Sequence, residues 1–322
     1  MLTAAKQLIE KYLLVWLLLL CCAAFYEPAL PVQVFSGALP YLKVLVFVAM
    51  FAVGWMLPRD EIRQVIARWP TVFGGTAIQY AVMPAAAYFL AKQFQLSDGL
   101  MIGTIMVGCV PGAMASNVLT LMARGSTGYS VSLTTSATLL SPIVVPLVMA
   151  LTLGANISQS QLITSAIDLA WMVVLPVTAG HLLSCRWPDS QTTATVVGSI
   201  VANLAILWIV ASVVAANRDR LKGMQSAMIL VFALLLLNLI GYFAGYVGGT
   251  CMRISTSMRR ALTLEVGMQN AGLGTAMVTS LFPEDPSVAI PTAIYTFGCM
   301  FTGTILARFW SSLPEPQESL DV

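Results

Sequence analysis

Long apolar segments separated by short polar or charged stretches fill almost the whole chain. Ten of these segments approach or exceed the roughly 20 residues that a helix needs to cross a bilayer. Their approximate bounds are 12–26, 39–57, 71–91, 99–123, 127–153, 159–183, 193–216, 225–251, 261–282 and 288–310. The pattern predicts an all-α polytopic membrane protein with ten transmembrane helices.

Two of the ten segments are interrupted by residues that a membrane helix normally avoids. The ninth contains LEVGMQNAGLG, from Leu264 to Gly274, with one carboxylate at Glu265, two side-chain amides and three glycines. The fourth contains GCVPGAMASNV, from Gly108 to Val118. A charge at the bilayer centre costs at least about 2.5–3.5 kcal/mol, and hydrocarbon cannot satisfy freed backbone groups. Both helices are therefore expected to be broken and to line a cavity that holds a polar cargo.

The two interruptions occupy corresponding positions in two halves of the chain. Asn117 and Asn270 are 153 residues apart, close to half of 322. Because each half holds five segments, the second half begins on the opposite face, and a repeat must be inverted. The prediction is a first repeat over residues 1–154, a second over 159–311 and a short cytoplasmic tail over 312–322. The alternative is a coincidental placement of glycines, because sequence identity between the halves is too weak to prove a repeat.

Composition agrees with a membrane protein, and charge predicts its orientation. Only 9% of the residues are charged, against about 25% in a soluble domain. With ten spans, 11 Lys and Arg residues lie on the amino-terminal side and 5 on the other. Positive charges collect in the cytoplasm, so both termini are expected there, although Arg218, Arg220 and Lys222 go against the trend. A bacterial inner membrane is the expected location, and a net charge of +2 gives no indication of nucleic acid.

Few polar side chains within the apolar segments could carry chemistry. Glu265 is the deepest carboxylate, and such groups usually mark a functional site; the alternative is a helix-end carboxylate near the interface. Ser130, Thr134 and Thr138 share one helix face at spacing i, i+4 and i+8. That stripe serves either helix packing or cation coordination, because hard cations prefer oxygen ligands. Gln79 is a lone amide in apolar surroundings that needs a partner.

Three further features are less informative. Asp168 lies within the sixth segment and is either a structural partner for another helix or a functional group. His181, near the end of that segment, is more typical of an interface residue than of a ligand. The six cysteines are scattered and form no Cys-x-x-Cys pair, so neither a disulfide framework nor a zinc site is indicated.

These groups together favour transport over catalysis. Hydroxyls, amides, one carboxylate and carbonyls freed by broken helices suit a small monovalent cation, while the amino ends of half-helices suit an anion. The combination indicates sodium-coupled uptake of an organic anion. The sequence contains no phosphate-binding loop, HExxH or GxSxG motif, so an enzyme is not expected.

The segments PGAMASNVLTLMARG, SVSLTTSATLLSPIVVP and LEVGMQNAGLG resemble the bile acid:sodium symporter (BASS) family, and the resemblance covers essentially the whole chain. It implies a bacterial member in which helices 4 and 9 are broken and cross. It also implies a panel of helices 1, 2, 6 and 7 that faces a core of helices 3–5 and 8–10. Two Na⁺ would be the coupling ions, with no other cofactor.

The resemblance further implies two sodium sites behind the crossover and a substrate site in front of it. The first sodium site would use Ser116, Asn117, Ser130, Thr134 and Glu265, and the second Gln79, Glu265, Gln269 and the carbonyls of Val266 and Met268. Substrate would lie near Met114, Ala115 and Asn270. Met114 departs from the family, whose bacterial members often carry a hydroxyl residue there, which weakens the expectation of a polar substrate contact at this position.

The sequence thus predicts a symporter that imports an organic anion by alternating access. A small carboxylate such as pantoate competes with a bile-acid-like steroid conjugate, and the sequence does not choose between them. The alternative is a proton-coupled or efflux carrier of the same architecture, against which the intact sodium-ligand set argues. A membrane sensor would need an output domain, for which the short tails leave no room. The expected partners are the organic anion, sodium and the lipid bilayer, and a monomer is expected.

Overall fold

The computed structural model describes residues 2–27, 34–154, 157–223 and 227–313. Within them the chain is helical, and its only β-structure is one isolated bridge. The α-helices, numbered in chain order, are α1 Leu2–Lys11, α2 Leu13–Phe25, α3 Leu42–Met56, α4 Glu61–Ala67, α5 Trp69–Gln93, α6 Asp98–Cys109, α7 Ala115–Met122, α8 Thr127–Leu153, α9 Gln159–Leu169, α10 Leu175–Arg186, α11 Gln191–Thr193, α12 Ser199–Ala216, α13 Arg218–Gly223, α14 Ala227–Cys251, α15 Thr256–Gly267, α16 Ala271–Leu281 and α17 Ile290–Ser311.

Short non-α segments extend several of these helices. One π-helical turn, Ala170–Val174, joins α9 to α10, and another, Ala194–Gly198, joins α11 to α12. Turns of 3-10 helix precede α3 at Ser36–Tyr41, α11 at Pro188–Ser190 and α17 at Pro286–Ala289. The continuous helical stretches are therefore longer than the α-helical bounds alone suggest.

Six helical stretches of the described chain are long and apolar enough to cross a membrane, or seven if α1 and α2, which meet at 78°, count as one span. The six are 36–56, 127–153, 159–186, 188–216, 227–251 and 286–311. Each of the ten predicted segments contains helix, and the chain is an all-helical, multi-pass membrane protein. The number of ten crossings stays a prediction. The predicted tail beyond residue 313 and the loop residues 155 and 156 lie outside the described residues.

The surface and the interior of the helix assembly both suit a lipid environment. Large apolar side chains face outward, including Leu151, Ile143 and Met228, the last of them 81% exposed. Small residues instead lie where helices approach closely, as membrane helix packing requires. At Gly54 and Gly180, an added Cβ would overlap backbone atoms of the facing helix, so α3 and α10 pack in direct backbone contact.

The helices pack in two groups. One group contains α2, α3, α10 and α12, and the other contains α5, α6, α8, α14, α15 and α17. The helices that flank the two predicted interruptions, α6, α7, α15 and α16, belong to the second group or lie against it. This arrangement places the first interruption beside the space between the groups and the second within its own group.

Candidate functional site

The break between α6 and α7 lies beside the break between α15 and α16, and an antiparallel β-bridge joins them. The Ala113 N–H donates to the Met268 carbonyl at 2.7 Å, and the Asn270 N–H donates to the Pro111 carbonyl at 2.8 Å. Backbone groups freed by one break are thus satisfied by the other, which is the condition for irregular backbone at membrane depth.

Two glycines allow this close approach. A Cβ atom at Gly112 would overlap the carboxylate of Glu265, and a Cβ atom at Gly267 would overlap the ring of Tyr242. The side chains that surround the breaks therefore occupy the space that any other residue would need. Glycine is therefore favoured at both positions because it has no Cβ atom, in addition to the backbone freedom that it allows at a break.

Glu265 is fully buried at the end of α15, next to the bridge. The Ser116 hydroxyl donates to its Oε2 at 2.5 Å, and the Thr134 hydroxyl donates to its Oε1 at 2.7 Å. No Lys, Arg or His of the described chain lies within 4.0 Å of the carboxylate, and Arg260 donates instead to the Ala123 carbonyl at 2.8 Å. This environment does not fit a carboxylate near the membrane surface.

The other residues expected at the first sodium site lie around this carboxylate. The Ser130 carbonyl oxygen lies 3.1 Å from the Thr134 hydroxyl oxygen, and the Ser130 hydroxyl accepts a hydrogen bond from the Thr120 hydroxyl at 3.3 Å. Asn117 follows Ser116 on α7, and its buried Oδ1 has no hydrogen-bond partner among the described residues. Thr120 is an addition that sequence reasoning missed, although it lies one helical turn after Ser116.

The residues expected at the second sodium site form a chain of amides behind the bridge. The Gln79 amide donates to Gln269 Oε1 at 3.1 Å, and the Gln269 amide donates to the Val266 carbonyl at 2.8 Å. Both glutamines are 1% exposed. No direct hydrogen bond links this chain to Glu265 within the described residues; the connection runs through Gly112, which pairs with Gln269 and contacts the carboxylate.

Two residues that sequence reasoning missed hold the end of α15. The Asn238 amide and the Tyr295 hydroxyl both donate to the Gly267 carbonyl, at 2.7 and 2.8 Å. The Thr302 hydroxyl donates in turn to Asn238 Oδ1 at 2.7 Å. The sequence did contain a signal for Asn238. It is the only Asn or Gln between residues 227 and 251, in the eighth apolar segment.

A cavity of about 250 Å³ lies between the two helix groups, in front of the breaks. Of the residues expected near substrate, Met114 and Ala115 line this cavity. Asn270 does not line it: its side chain accepts a hydrogen bond from the Leu273 N–H at 3.1 Å and so caps the amino end of α16. The structure therefore brings the first two to the cavity and gives the third a capping contact.

The oxygen atoms at the breaks that could coordinate a cation suit a hard monovalent one. In the described chain no group of three or more His, Cys, Asp or Glu side chains comes together, so the polar atoms here are hydroxyls, amides, carbonyls and one carboxylate. Calcium sites typically combine several carboxylates with neutral oxygens. A single carboxylate among neutral oxygens balances the charge of one sodium ion, whereas a typical calcium site offers more than one carboxylate.

Two other polar residues that the sequence analysis singled out, Asp168 and His181, lie away from the breaks. Asp168 pairs with Lys43 at 2.8 Å and accepts a hydrogen bond from Ser280 at 3.0 Å, which joins α9 to α3 and α16. His181 is buried on α10, 3.7 Å from the sulfur of Cys185. Neither residue contacts the residues around Glu265 within the described chain.

A second buried carboxylate, Glu61, lies on the short helix α4 outside the apolar segments. It is 1% exposed and accepts a hydrogen bond from the Ser132 hydroxyl at 2.8 Å. Burial raises the pKa of its carboxyl group. Its place in the charged loop gave no sign of this burial, and it offers a natural comparison with Glu265.

Comparisons with known proteins show which family this chain resembles. The model of the sodium bile acid symporter family matches residues 43–224. The uncharacterized sodium-dependent transporter YocS of Bacillus subtilis is 32% identical over 92% of this chain and 90% of its own length. The probable chloroplastic sodium/metabolite cotransporter BASS1 of Arabidopsis thaliana is 28% identical over 92% of this chain and 72% of its own. A sodium-dependent organic anion transporter of Mus musculus is 28% identical over 86% and 74%.

Proposed function

The chain belongs to the sodium bile acid symporter family, whose members are sodium-dependent transporters and not enzymes, and we propose that it imports an organic anion together with sodium by alternating access. Sodium dependence is common to the names of its relatives, and an organic anion is named for the mouse protein. The predicted membership of this family is thereby confirmed.

The observation that carries the proposal is the environment of Glu265. A buried carboxylate without a cationic partner is costly unless something neutralises it. Here its hydrogen bonds in the described chain come from hydroxyl groups, and no Lys, Arg or His of the described chain lies within 4.0 Å. A bound sodium ion would supply the missing charge among oxygen ligands that such an ion prefers.

Two sodium sites share this carboxylate in the proposal. The first uses Ser116, Asn117, Ser130, Thr134 and Glu265, and the second uses Gln79, Glu265, Gln269 and the carbonyls of Val266 and Met268. Two monovalent cations beside one carboxylate leave a local net charge of +1. That charge, with the amino ends of α7 and α16, would favour an anion in the adjacent cavity, so sodium binding would raise the affinity for substrate.

Substrate would lie against Met114 and Ala115, with Asn270 nearby at the amino end of α16. The cavity of about 250 Å³ is smaller than the range of about 300–1,000 Å³ that is usual for drug-sized ligands. A small carboxylate such as pantoate therefore suits it better than a steroid conjugate. The mostly apolar wall would accommodate the carbon skeleton.

For the membrane topology, we combine the six long spans with four more. They are the bent pair α1 and α2, the helix α5, and the broken pairs α6–α7 and α15–α16, which give ten crossings. The ten crossings would form two inverted repeats, over residues 1–154 and 159–311, in which the fourth crossing (α6–α7) and the ninth (α15–α16) cross each other. Both termini would lie in the cytoplasm of a bacterial inner membrane, and the transporter would be a monomer. Impermeant thiol labelling from outside should modify a cysteine at Asn156, in the loop outside the described residues, and spare one at Gln64; the reverse would contradict this topology.

Uptake into proteoliposomes tests the function directly. A pool of radiolabelled organic acids is offered with an inward sodium gradient, with an inward proton gradient or with neither. The proposal predicts accumulation of at least one acid with the sodium gradient alone. Accumulation that follows the proton gradient and ignores sodium would favour the proton-coupled alternative.

A further inference from the structure

The amino-terminal helix α1, which buries none of its residues, lines one side of the cavity and supplies its charged groups. We call this side of the cavity its mouth. It bends by 78° from α2 and packs against α12 and the π-helical turn before it. Lys6 and Glu10 of α1 both line the cavity, and Lys6 is the only Lys, Arg or His among the described lining residues. Any anion in the cavity therefore meets one protein cation, at the mouth.

The two charged side chains of α1 are held unequally. Glu10 accepts a hydrogen bond from the Ser199 hydroxyl at 2.5 Å, which ties α1 to α12. Lys6 lies 3.8 Å from Glu10, beyond hydrogen-bond reach, and has no hydrogen bond within the described chain. An ammonium group has three donors, so Lys6 retains its full capacity to bind an oxyanion while Glu10 is anchored.

We propose that Lys6 is an anion-recognition residue at the cavity mouth: its ammonium group pairs with the carboxylate of the transported acid as the acid enters or leaves on this side. Glu10 neutralises Lys6 when the cavity is empty and weakens the attraction for anions. The inference rests on the proposed function, because it assigns this role toward an organic anion.

The structure also allows a competing role for the pair. Lys6, Glu10 and Ser199 could serve only to clamp α1 onto α12. Under that role, weakening either charged residue would loosen α1 and change access to the cavity in the same direction. Under anion recognition, the two changes act in opposite directions, because one removes the attracting charge and the other removes the opposing charge.

A charge-selective labelling experiment separates these roles without a known substrate. The full chain, with its solvent-accessible native cysteines replaced by serine, carries a reporter cysteine at Val131, which lines the cavity. A control version carries it at Ile66, which is 65% exposed on α4. The measurement is the ratio of modification rates by the anionic sulfonatoethyl and the cationic trimethylammonioethyl methanethiosulfonate, on purified protein in detergent.

For the cavity reporter, Lys6→Gln should lower this ratio about threefold to fivefold, as expected for a partly exposed charge, and Lys6→Arg should preserve it. Glu10→Gln should raise it, because glutamine keeps the Ser199 hydrogen bond and removes the opposing charge. The ratio at the control position should not change.

An unchanged ratio with Lys6→Gln, or shifts of the same sign with Lys6→Gln and Glu10→Gln, would overturn the proposal. Sodium-dependent stabilisation of the same variants tests the proposed function separately, since Lys6 lies outside the sodium sites.

Discussion

The two helix breaks are joined by one antiparallel bridge but have different surroundings. Around the second break, every residue from 260 to 278 is buried. At the first break, Met114, Ala115 and Asn117 are only partly buried and line the cavity. The second break is enclosed within its helix group, and the first faces the space between the groups.

Their polar groups differ in the same way. At the second break, the Gly267 carbonyl receives two side-chain hydrogen bonds, and the Asn270 side chain caps the following helix. At the first break, Met114 provides no side-chain cap for α7, and the Asn117 oxygen has no partner within the described residues. We infer that the second break is a fixed anchor for sodium, while the first is the side that responds to cargo.

The largest expected effect comes from filling the space between the breaks. Gly112→Ala and Gly267→Ala each place a Cβ atom on a neighbouring side chain, and such overpacking typically costs about 1–3 kcal/mol. Sodium-driven uptake should fall at least about tenfold in both variants. Gly298→Ala is the control, because no atom lies within 4 Å of its added Cβ. Normal uptake by both crossover variants would refute the account of the crossing.

The next effect comes from loosening the anchor of the second break. Tyr295→Phe removes one of the two donors to the Gly267 carbonyl, which should lower stability by about 1 kcal/mol and sodium affinity severalfold. The measurement is the midpoint of sodium-dependent stabilisation. Tyr242→Phe is the matched control, because that hydroxyl contacts Cys299 and Thr302 instead. Equal effects of the two substitutions would argue against a specific anchor.

The smallest effect distinguishes the caps of the two half-helices. Asn270→Ala removes the side-chain cap of α16 and should lower the free energy of unfolding by about 1 kcal/mol. Met114→Ala removes no cap from α7 and should change stability less, with its main effect on substrate affinity. Thermal unfolding in detergent, without substrate, compares the two. A greater loss of stability for Met114→Ala would reverse the assignment of the fixed and the responsive break.

Sequence reasoning could locate the breaks because their signals are local. Glycines, a proline and polar side chains stand out within long apolar segments, and the resemblance to a known family placed Ser116 and Thr134 near Glu265. The structure brings these three together. The family resemblance implied that the broken helices cross, but only coordinates show which backbone groups pair across the breaks.

What the sequence could not supply were contacts between distant segments. Asn238 and Tyr295 are single polar residues in apolar helices, and nothing local specifies that both face the Gly267 carbonyl. Glu61 is part of a charged loop, yet tertiary packing buries it against Ser132. Lys6 lies before the first apolar segment of the sequence, on helix α1, and its place at the cavity mouth depends on the bend between α1 and α2.

The most direct test of the account is the sodium response of Glu265→Gln. A ligand that binds the native state raises its apparent stability according to its concentration relative to Kd. The melting temperature of purified protein is measured against sodium chloride concentration, with choline chloride holding ionic strength constant. Glu61→Gln is the matched control, an equally buried carboxylate away from the breaks. We predict that Glu265→Gln raises the sodium midpoint at least about tenfold, that Gln269→Ala raises it less, and that Glu61→Gln leaves it unchanged. A wild-type sodium response in Glu265→Gln would contradict the central claim.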